Sequence, residues 1–213
     1  MHQYPEEVRA EYIRVMGSEL GSLCHDLQQE VDWLHDKWDV FRELFEQGPE
    51  RIKLLNIVAP NFFYFLRKLL FEDAMLHLCR LTDPPETRVR TQGKLEIRHN
   101  LTVMGLERAI SDSALSVKVR AEAHQVKRRC AFAREWRNRR LAHTDLKTSR
   151  SNNSDFPSVS ADGIRDGLKS MRALLSLVEE YYGRPPFGFL PDPWGAKSLV
   201  WYLEKSVRTD DEG

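Results

Sequence analysis

One short stretch of the chain, EWRNRRLAHTDL at residues 135–146, places three arginines beside a single histidine, and Arg134 directly precedes it. Arg139 and Arg140 stand four and three residues before His143, so on a helix they share its face. Two neighbouring guanidinium groups disfavour a charged imidazole, which predicts a pKa for His143 near or below its usual value of about 6.5. His143 could therefore act as a base near neutral pH.

Arg137 stands where the pattern of the preceding residues asks for an apolar side chain. Apolar residues recur before it at alternating steps of four and three, a heptad-like spacing: Val119, Ala123, Val126, Cys130 and Ala133. An unpaired charge is costly at a buried position, so Arg137 is expected to face a carboxylate, a polar cleft or a partner chain. In a straight helix His143 would lie about 9 Å further along the axis and about 120° around it. The two residues then share no face unless the helix bends or breaks between them.

The charges of the chain are balanced in number but uneven in position. The 32 Lys and Arg match 32 Asp and Glu, yet residues 118–140 carry nine basic residues against two glutamates. Residues 1–50 carry twelve acidic residues against four basic ones. A basic segment of this kind indicates where a polyanion could bind. The alternative is a solvated helix face that pairs with the acidic N-terminal helix, and it remains open for Lys118, Arg120 and Lys127.

Composition excludes several classes of protein. The 213 residues are 41% hydrophobic, which suffices for a sizeable core and predicts a single domain over residues 1–213. The sequence has no apolar run long enough to cross a membrane, and its acidic N-terminus lacks the apolar segment of a secretory signal. Cys24, Cys79 and Cys130 are widely spaced and form no zinc motif, so free thiols in a reducing cytoplasm are expected and no metal site is predicted.

Helical periodicity runs through nearly the whole chain, and no window shows the alternation of a half-buried strand. The predicted fold class is therefore all-α, a bundle of about five to seven helices. Gly17 or Gly21 could divide the acidic N-terminal helix, and Pro60 should kink the second helical stretch or begin its main segment. The other predicted segments are a helix at 6–46, a helical stretch ending near 81, a polar connection at 84–100, a short helix at 101–112 capped by Asn100 or Thr102, a basic helix at 114–146, a loop at 147–160, and helices at 161–182 and 194–207.

Four motifs together resemble a known superfamily. The first is RNRRLAH (137–143), in which five residues separate the arginine from the histidine. The others are RLTDPP (80–85), HNLTVMGL (99–106) and PDPWGAKSLVWYLEKS (191–206). In an all-helical chain these motifs resemble the HEPN superfamily, and within it the AbiU-type branch of abortive-infection proteins. The resemblance extends over residues 20–205 and implies a HEPN-like helical bundle.

What the resemblance implies is a metal-independent endoribonuclease without a cofactor, whose two motifs meet at the interface of a homodimer. Arg137 would bind the phosphate, Asn138 would orient the arginine or the phosphate, and each protomer would supply one His143 for proton transfer. Trp136 could stack on an unpaired base. The cations expected to bind the RNA backbone are Lys127, Arg128, Arg129, Arg134, Arg139 and Arg140. The resemblance also implies a cytoplasmic toxin or anti-phage protein, an RNA substrate such as a transfer-RNA loop, and an antitoxin or nucleotidyltransferase partner.

Other interpretations of the same residues remain open. The chain could be a non-catalytic interaction module that partners a nucleotidyltransferase or another effector, or it could bind nucleic acid without cleaving it. Arg137 could pair structurally with Glu72 or Asp73, and His143 could interact with the dipole at the end of its helix. Trp136 is more often a core residue than a stacking platform. Arg80 and Asp83 could support the motif, although capping of the preceding helix is the favoured interpretation.

Overall fold

Helices form most of the structure, a computed structural model that describes residues 6–138, 161–184 and 195–211. The described elements are, in chain order, α1 (Glu6–Met16), α2 (Ser18–Phe45), α3 (Pro49–Val58), α4 (Pro60–Leu81), β1 (Glu86–Thr91), β2 (Lys94–His99), a 3₁₀ helix (Val103–Ala109), α5 (Ser113–Arg129), α6 (Ala131–Arg137), α7 (Ala161–Tyr181) and α8 (Ala196–Asp211). The all-α prediction is confirmed. The predicted loop at 147–160 lies outside the described residues.

Glycine and proline set the boundaries of the first four helices. Gly17 has a φ of +84°, which L side chains rarely adopt, and it separates α1 from α2. Pro49 and Pro60 stand at the first positions of α3 and α4, where a proline loses no intrahelical hydrogen bond. The predicted break near Gly17 and the predicted start at Pro60 are both confirmed.

Residues 84–100 were expected to form a polar connection, and this expectation is wrong. The segment contains an antiparallel hairpin in which Thr91 pairs with Lys94 and Glu86 with His99. Gln92 and Gly93 form the two-residue turn, and both have positive φ, at 52° and 81°. A type I′ turn needs this conformation. The sequence did not predict the strands because both faces of the hairpin carry polar residues, so apolar and polar side chains do not alternate along them.

The basic helix is also not continuous. It was predicted at 114–146, but α5 ends at Arg129 and α6 begins at Ala131. Cys130 joins them with φ −93° and ψ 4°, outside the helical range. The predicted apolar stripe is nevertheless buried from Val119 to Ala133. The break therefore lies before Arg137, and residues 139–146 lie outside the described part.

The chain divides into two compact units, and α2 and α4 contribute residues to both. The first unit comprises residues 1–31 and 75–188, as far as they are described, and α5 packs against α7 within it. A Cβ atom on Gly167 of α7 would lie 3.0 Å from Cys130 Sγ, so this glycine permits the close approach of α7 to the break between α5 and α6. The single-domain organisation stays a prediction.

The second unit comprises residues 32–74 and 189–213, again as far as they are described. Trp38 stacks on Phe41 with ring centroids 4.6 Å apart, and Phe41 also contacts Phe71. Helix α3 contacts α8 in this unit. None of the described helices is long and apolar enough to cross a membrane.

Candidate functional site

Two arginines of α6 meet the carboxylate of Asp83, which lies in the turn after α4. Arg134 Nη2 donates to Asp83 Oδ1 at 2.7 Å and to the Thr82 carbonyl oxygen at 3.2 Å. Arg137 Nη1 lies 3.9 Å from the same Asp83 Oδ1. The carboxylate predicted opposite Arg137 is thus Asp83, not Glu72 or Asp73, whose partners are Lys68 and Lys37.

The backbone around Asp83 is held by residues of the segment HNLTVMGL. The Thr102 hydroxyl is fully buried and shares its hydrogen between the carbonyl oxygens of Leu81 and Asp83, each 2.8 Å away. It also accepts from the Met104 amide and so caps the 3₁₀ helix, as predicted for Thr102. Asn100 Nδ2 donates to the Pro84 carbonyl oxygen at 2.8 Å. RLTDPP, HNLTVMGL and the arginines of α6 are therefore one connected network.

Arg137 remains accessible despite this contact. Its side chain is 30% exposed, and its Nε and Nη2 atoms each donate to Asn138 Oδ1 at 3.3 Å. Asn138 is exposed at the C-terminal end of α6. The two neighbours therefore present a guanidinium and an amide side by side. The other predicted motif residues, Arg139, Arg140 and His143, lie outside the described residues.

Trp136 lies in the core, and Arg134 lies against the turn after α4. Trp136 is 4% exposed and belongs to the core, so it presents no surface for a base, and the stacking interpretation is wrong. The side chain of Arg134 is 28% exposed, and its Nη2 hydrogen bonds go to Asp83 and Thr82. This residue holds α6 to the turn after α4. Its role in RNA binding stays a prediction.

Three other predicted RNA-binding residues lie at the end of α5. Arg128 and Arg129 are exposed, and their guanidinium groups have no ion pair or hydrogen bond to any residue that the structure describes. Lys127 is half-buried. Arg128 and Arg129 therefore place available positive charge at the C-terminal end of α5.

Two buried thiols lie beneath the arginines. Burial raises the pKa of the Cys79 thiol, and the nearby Arg137 and Arg134 guanidinium groups partly oppose this effect. Burial, reinforced by the neighbouring Cys79, raises the pKa of Cys130 to about 12. Both cysteines are free and protonated near neutral pH. They are core residues, as predicted for Cys79.

A pocket of about 330 Å³ opens beside Asp83. Its lining residues are Glu30, Arg80, Leu81, Asp83, His99, Asn100 and Leu101. The Glu30 carboxylate accepts from Arg80 and lies 2.8 Å from Nε2 of the buried His77. Across residues 6–138, 161–184 and 195–211, no three His, Cys, Asp or Glu side chains group closely enough to hold a metal ion.

Asp83 has contacts that fit both roles its position predicts. Its amide donates to the Arg80 carbonyl oxygen at the end of α4, 3.3 Å away, and its carboxylate accepts from Arg134 and faces Arg137 of the motif. The helix end predicted from Asp-Pro-Pro is confirmed, since α4 ends at Leu81. No local signal indicates a partner 51 residues away.

One protein-family model matches the chain. It is HEPN_AbiU2, described as AbiU2, and it covers residues 17–193. The matched range includes RLTDPP, HNLTVMGL and RNRRLAH, and it ends within the C-terminal motif. No curated protein and no solved structure matches the chain.

Proposed function

Since the chain belongs to the AbiU2 family of HEPN abortive-infection proteins, we propose that it is a metal-independent endoribonuclease. The observation that carries this proposal is the contact of Arg137 with Asp83, 3.9 Å apart. It fixes a partly exposed arginine next to the exposed Asn138, at the start of the motif RNRRLAH. An arginine in this setting suits a phosphate ligand, because its planar fork matches two phosphate oxygens.

The proposed reaction uses the 2′-hydroxyl of the RNA as the nucleophile. Its oxygen attacks the adjacent phosphorus, a base accepts its proton, and an acid protonates the departing 5′-oxygen. The products are a 2′,3′-cyclic phosphate and a free 5′-hydroxyl. Arg137 stabilises the charge that develops on the non-bridging oxygens, and Asn138 orients Arg137.

The two proton transfers need two groups, and the motif of one chain contains one histidine. We therefore propose a homodimer in which the two copies of His143 act in one composite site, one as base and one as acid. Arg139 and Arg140 would lower the pKa of the copy of His143 that acts as the base, whereas the copy that acts as the acid starts the reaction protonated and gives its proton to the 5′-oxygen. Asp83 would act as a positioning residue, holding Arg137 through its carboxylate.

The substrate we propose is a single-stranded RNA loop, for which a transfer-RNA anticodon loop is one example. A loop lets the 2′-hydroxyl reach the in-line geometry that a duplex restrains. We place the activity in the cytoplasm, as a toxin or anti-phage nuclease that a partner protein neutralises.

The test is RNA cleavage in excess EDTA, with the wild type and His143→Ala compared on total cellular RNA. We expect cuts from the wild type alone, insensitive to the chelator and ending in a 2′,3′-cyclic phosphate. Arg137→Ala should abolish the same cuts, while Arg14→Ala, at an exposed arginine paired with Glu11 on α1, should retain them. Intact RNA after incubation with folded, dimeric wild type would refute the proposal.

The second candidate function is a non-catalytic interaction module that partners a nucleotidyltransferase or another effector. One observation bears on it: the second unit exposes large apolar side chains, and such patches are typical of protein interfaces. They include Ile57, Phe62, Tyr64, Phe65, Leu69, Trp201 and Tyr202. Expression in cells separates the two functions. Toxicity that His143→Ala relieves favours the nuclease, and toxicity that persists in His143→Ala favours the module.

A further inference from the structure

The β1–β2 hairpin has two faces with different charges. Residues that pair across the strands share a face, so Arg88 lies with Ile97 and Arg90 with Leu95. We call this set the arginine face; the pair Glu86 and His99 completes it toward the base of the hairpin. The opposite face carries Thr87 with Arg98, Val89 with Glu96, and Thr91 with Lys94.

The arginine face has unpaired positive charge. Within the described residues, the guanidinium groups of Arg88 and Arg90 have no ion pair and no hydrogen bond, and both side chains are exposed. Glu86, the carboxylate on the same face, is already bound by Arg108 at 2.6 Å. On the opposite face Arg98 lies 3.9 Å from Glu96. On the arginine face, no carboxylate of the described residues competes with an incoming anion for Arg88 and Arg90, whereas on the opposite face Glu96 lies next to Arg98.

Aliphatic side chains stand beside the two arginines. Leu95 is 62% exposed and Ile97 is 55% exposed, so neither serves the core of the chain. Residues two apart on a strand lie about 7 Å from each other, and the face thus repeats an arginine–aliphatic pair at this interval. A surface that alternates cations with apolar groups suits a polymer that alternates phosphates with bases.

The arginine face also leads to the proposed catalytic arginine. His99 at its base lines the 330 Å³ pocket together with Asp83. Asp83 in turn lies 3.9 Å from Arg137. An RNA strand that follows the arginines toward the base of the hairpin reaches the pocket that His99 and Asp83 line.

From these observations we propose that the arginine face of the hairpin binds single-stranded RNA next to the cleavage site. The inference rests on the proposed function, since it names where the RNA substrate is held. Arg88 and Arg90 bind successive phosphates, and Leu95 and Ile97 contact the bases between them. The ligand is single-stranded because a duplex keeps its base faces stacked and would leave both aliphatic side chains against the backbone.

The test measures binding separately from cleavage. The background is full-length His143→Ala, and the probe is a short, fluorescently labelled oligouridylate whose dissociation constant is measured over a series of salt concentrations. Arg88→Ala/Arg90→Ala should weaken binding and reduce the log–log salt slope by about 1.4, since each phosphate contact on a single strand contributes about 0.7. Leu95→Ala/Ile97→Ala should weaken binding without changing the slope.

The matched control is Lys94→Ala/Arg98→Ala, which removes two cations from the opposite face of the same hairpin. We expect its affinity and slope to stay close to those of the background. Equal effects from the two double variants would overturn the proposal, as would tighter binding of a duplex of the same length. An absence of oligouridylate binding by the background protein would overturn it as well.

Cleavage assays keep the two proposals distinguishable. In the otherwise wild-type enzyme, Arg88→Ala/Arg90→Ala should raise KM and leave kcat unchanged, because the face binds the substrate and the transition state equally. Hairpin-dependent binding without any wild-type cleavage would refute the nuclease and uphold the binding face. Cleavage with an unchanged KM in the double variant would uphold the nuclease and refute the binding face.

Discussion

Asp83 Oδ1 lies 3.9 Å from Nη1 of Arg137, although 54 positions separate the two residues in the chain. The same oxygen accepts the hydrogen bond of Arg134 at 2.7 Å. One carboxylate therefore faces the first arginine of the motif and anchors the helix that carries it. A substitution at Asp83 therefore changes what holds Arg137 in position but leaves the charge of Arg137 itself intact. Such a substitution tests whether the position of Arg137 matters for cleavage.

Asp83→Asn should slow cleavage with little effect on stability. The amide keeps the shape of the side chain but removes the charge that holds Arg137, and misplacement of a catalytic group by about 1 Å can cost on the order of 10²-fold in rate. The free energy of unfolding should change by less than about 1 kcal/mol, because partly exposed ion pairs contribute little.

Steady-state cleavage kinetics and urea denaturation measure both effects of Asp83→Asn. Glu107→Gln is the matched control, since Glu107 pairs with Arg120 away from Asp83. A wild-type kcat in Asp83→Asn would contradict the positioning role, and so would an equal loss in the control.

RNA affinity should depend on Arg128 and Arg129 more than on Arg134. The first two are exposed cations, whereas Asp83 and the Thr82 carbonyl oxygen bind Arg134. In a catalytically inactive background, Arg128→Ala/Arg129→Ala should reduce the log–log salt slope of single-stranded RNA binding by about 1.4. Arg134→Ala should leave the slope nearly unchanged. Affinity that does not vary between low and physiological salt would exclude this basic surface.

Gly21→Ala should destabilise the first unit. A Cβ atom at Gly21 would lie 2.5 Å from the Tyr12 carbonyl oxygen and 2.7 Å from Ile13 Cα, and backbone atoms cannot easily move away. Alanine normally gains up to about 1 kcal/mol over glycine inside a helix, but overpacking of this kind costs about 1–3 kcal/mol.

Urea denaturation compares Gly21→Ala with Gly163→Ala. At Gly163 the new Cβ atom would lie 3.4 Å from Phe132 Cε1, an ordinary contact. We expect a lower transition midpoint for the first variant and an unchanged or higher midpoint for the second. Equal midpoints would show that α1 and α2 do not approach as closely as the structure has them.

Because of its buried thiols, the protein should lose stability at alkaline pH. Burial raises the pKa of both Cys24 and Cys130 to about 12, from an ordinary value near 9. Between these values the unfolded chain releases protons that the folded chain retains, so the free energy of unfolding falls as pH rises above about 9. Below pH 9 both states hold these protons, and the thiols contribute no pH dependence.

Urea denaturation at pH 8, 9 and 10 measures whether the free energy of unfolding falls as pH rises. In Cys24→Ala/Cys130→Ala this fall should be smaller. Tyr12 acts in the same direction, because burial and the hydrogen bond to Glu179 raise its pKa, but its unfolded state ionises at higher pH. The native thiols should also resist alkylation at pH 8. Their rapid modification in the folded protein would contradict the described burial.

The sequence by itself determined the helical class, the family and most helix boundaries. Gly17 and Pro60 act on their own backbone, and the apolar stripe from Val119 to Ala133 reports burial along one helix. Such signals are local, so they can be interpreted without knowing which elements meet. The four motifs also identified the family over nearly the range that the family model covers.

Only the tertiary structure decided which side chains meet. The hairpin at 86–99 escaped prediction because its strands pair with each other and not with the core, so no apolar alternation marks them. The partners of Arg134 and the unpaired state of Arg88 and Arg90 likewise depend on elements brought together by folding. A contact between residues 51 positions apart depends on which segments meet in the folded chain, and local periodicity does not encode this.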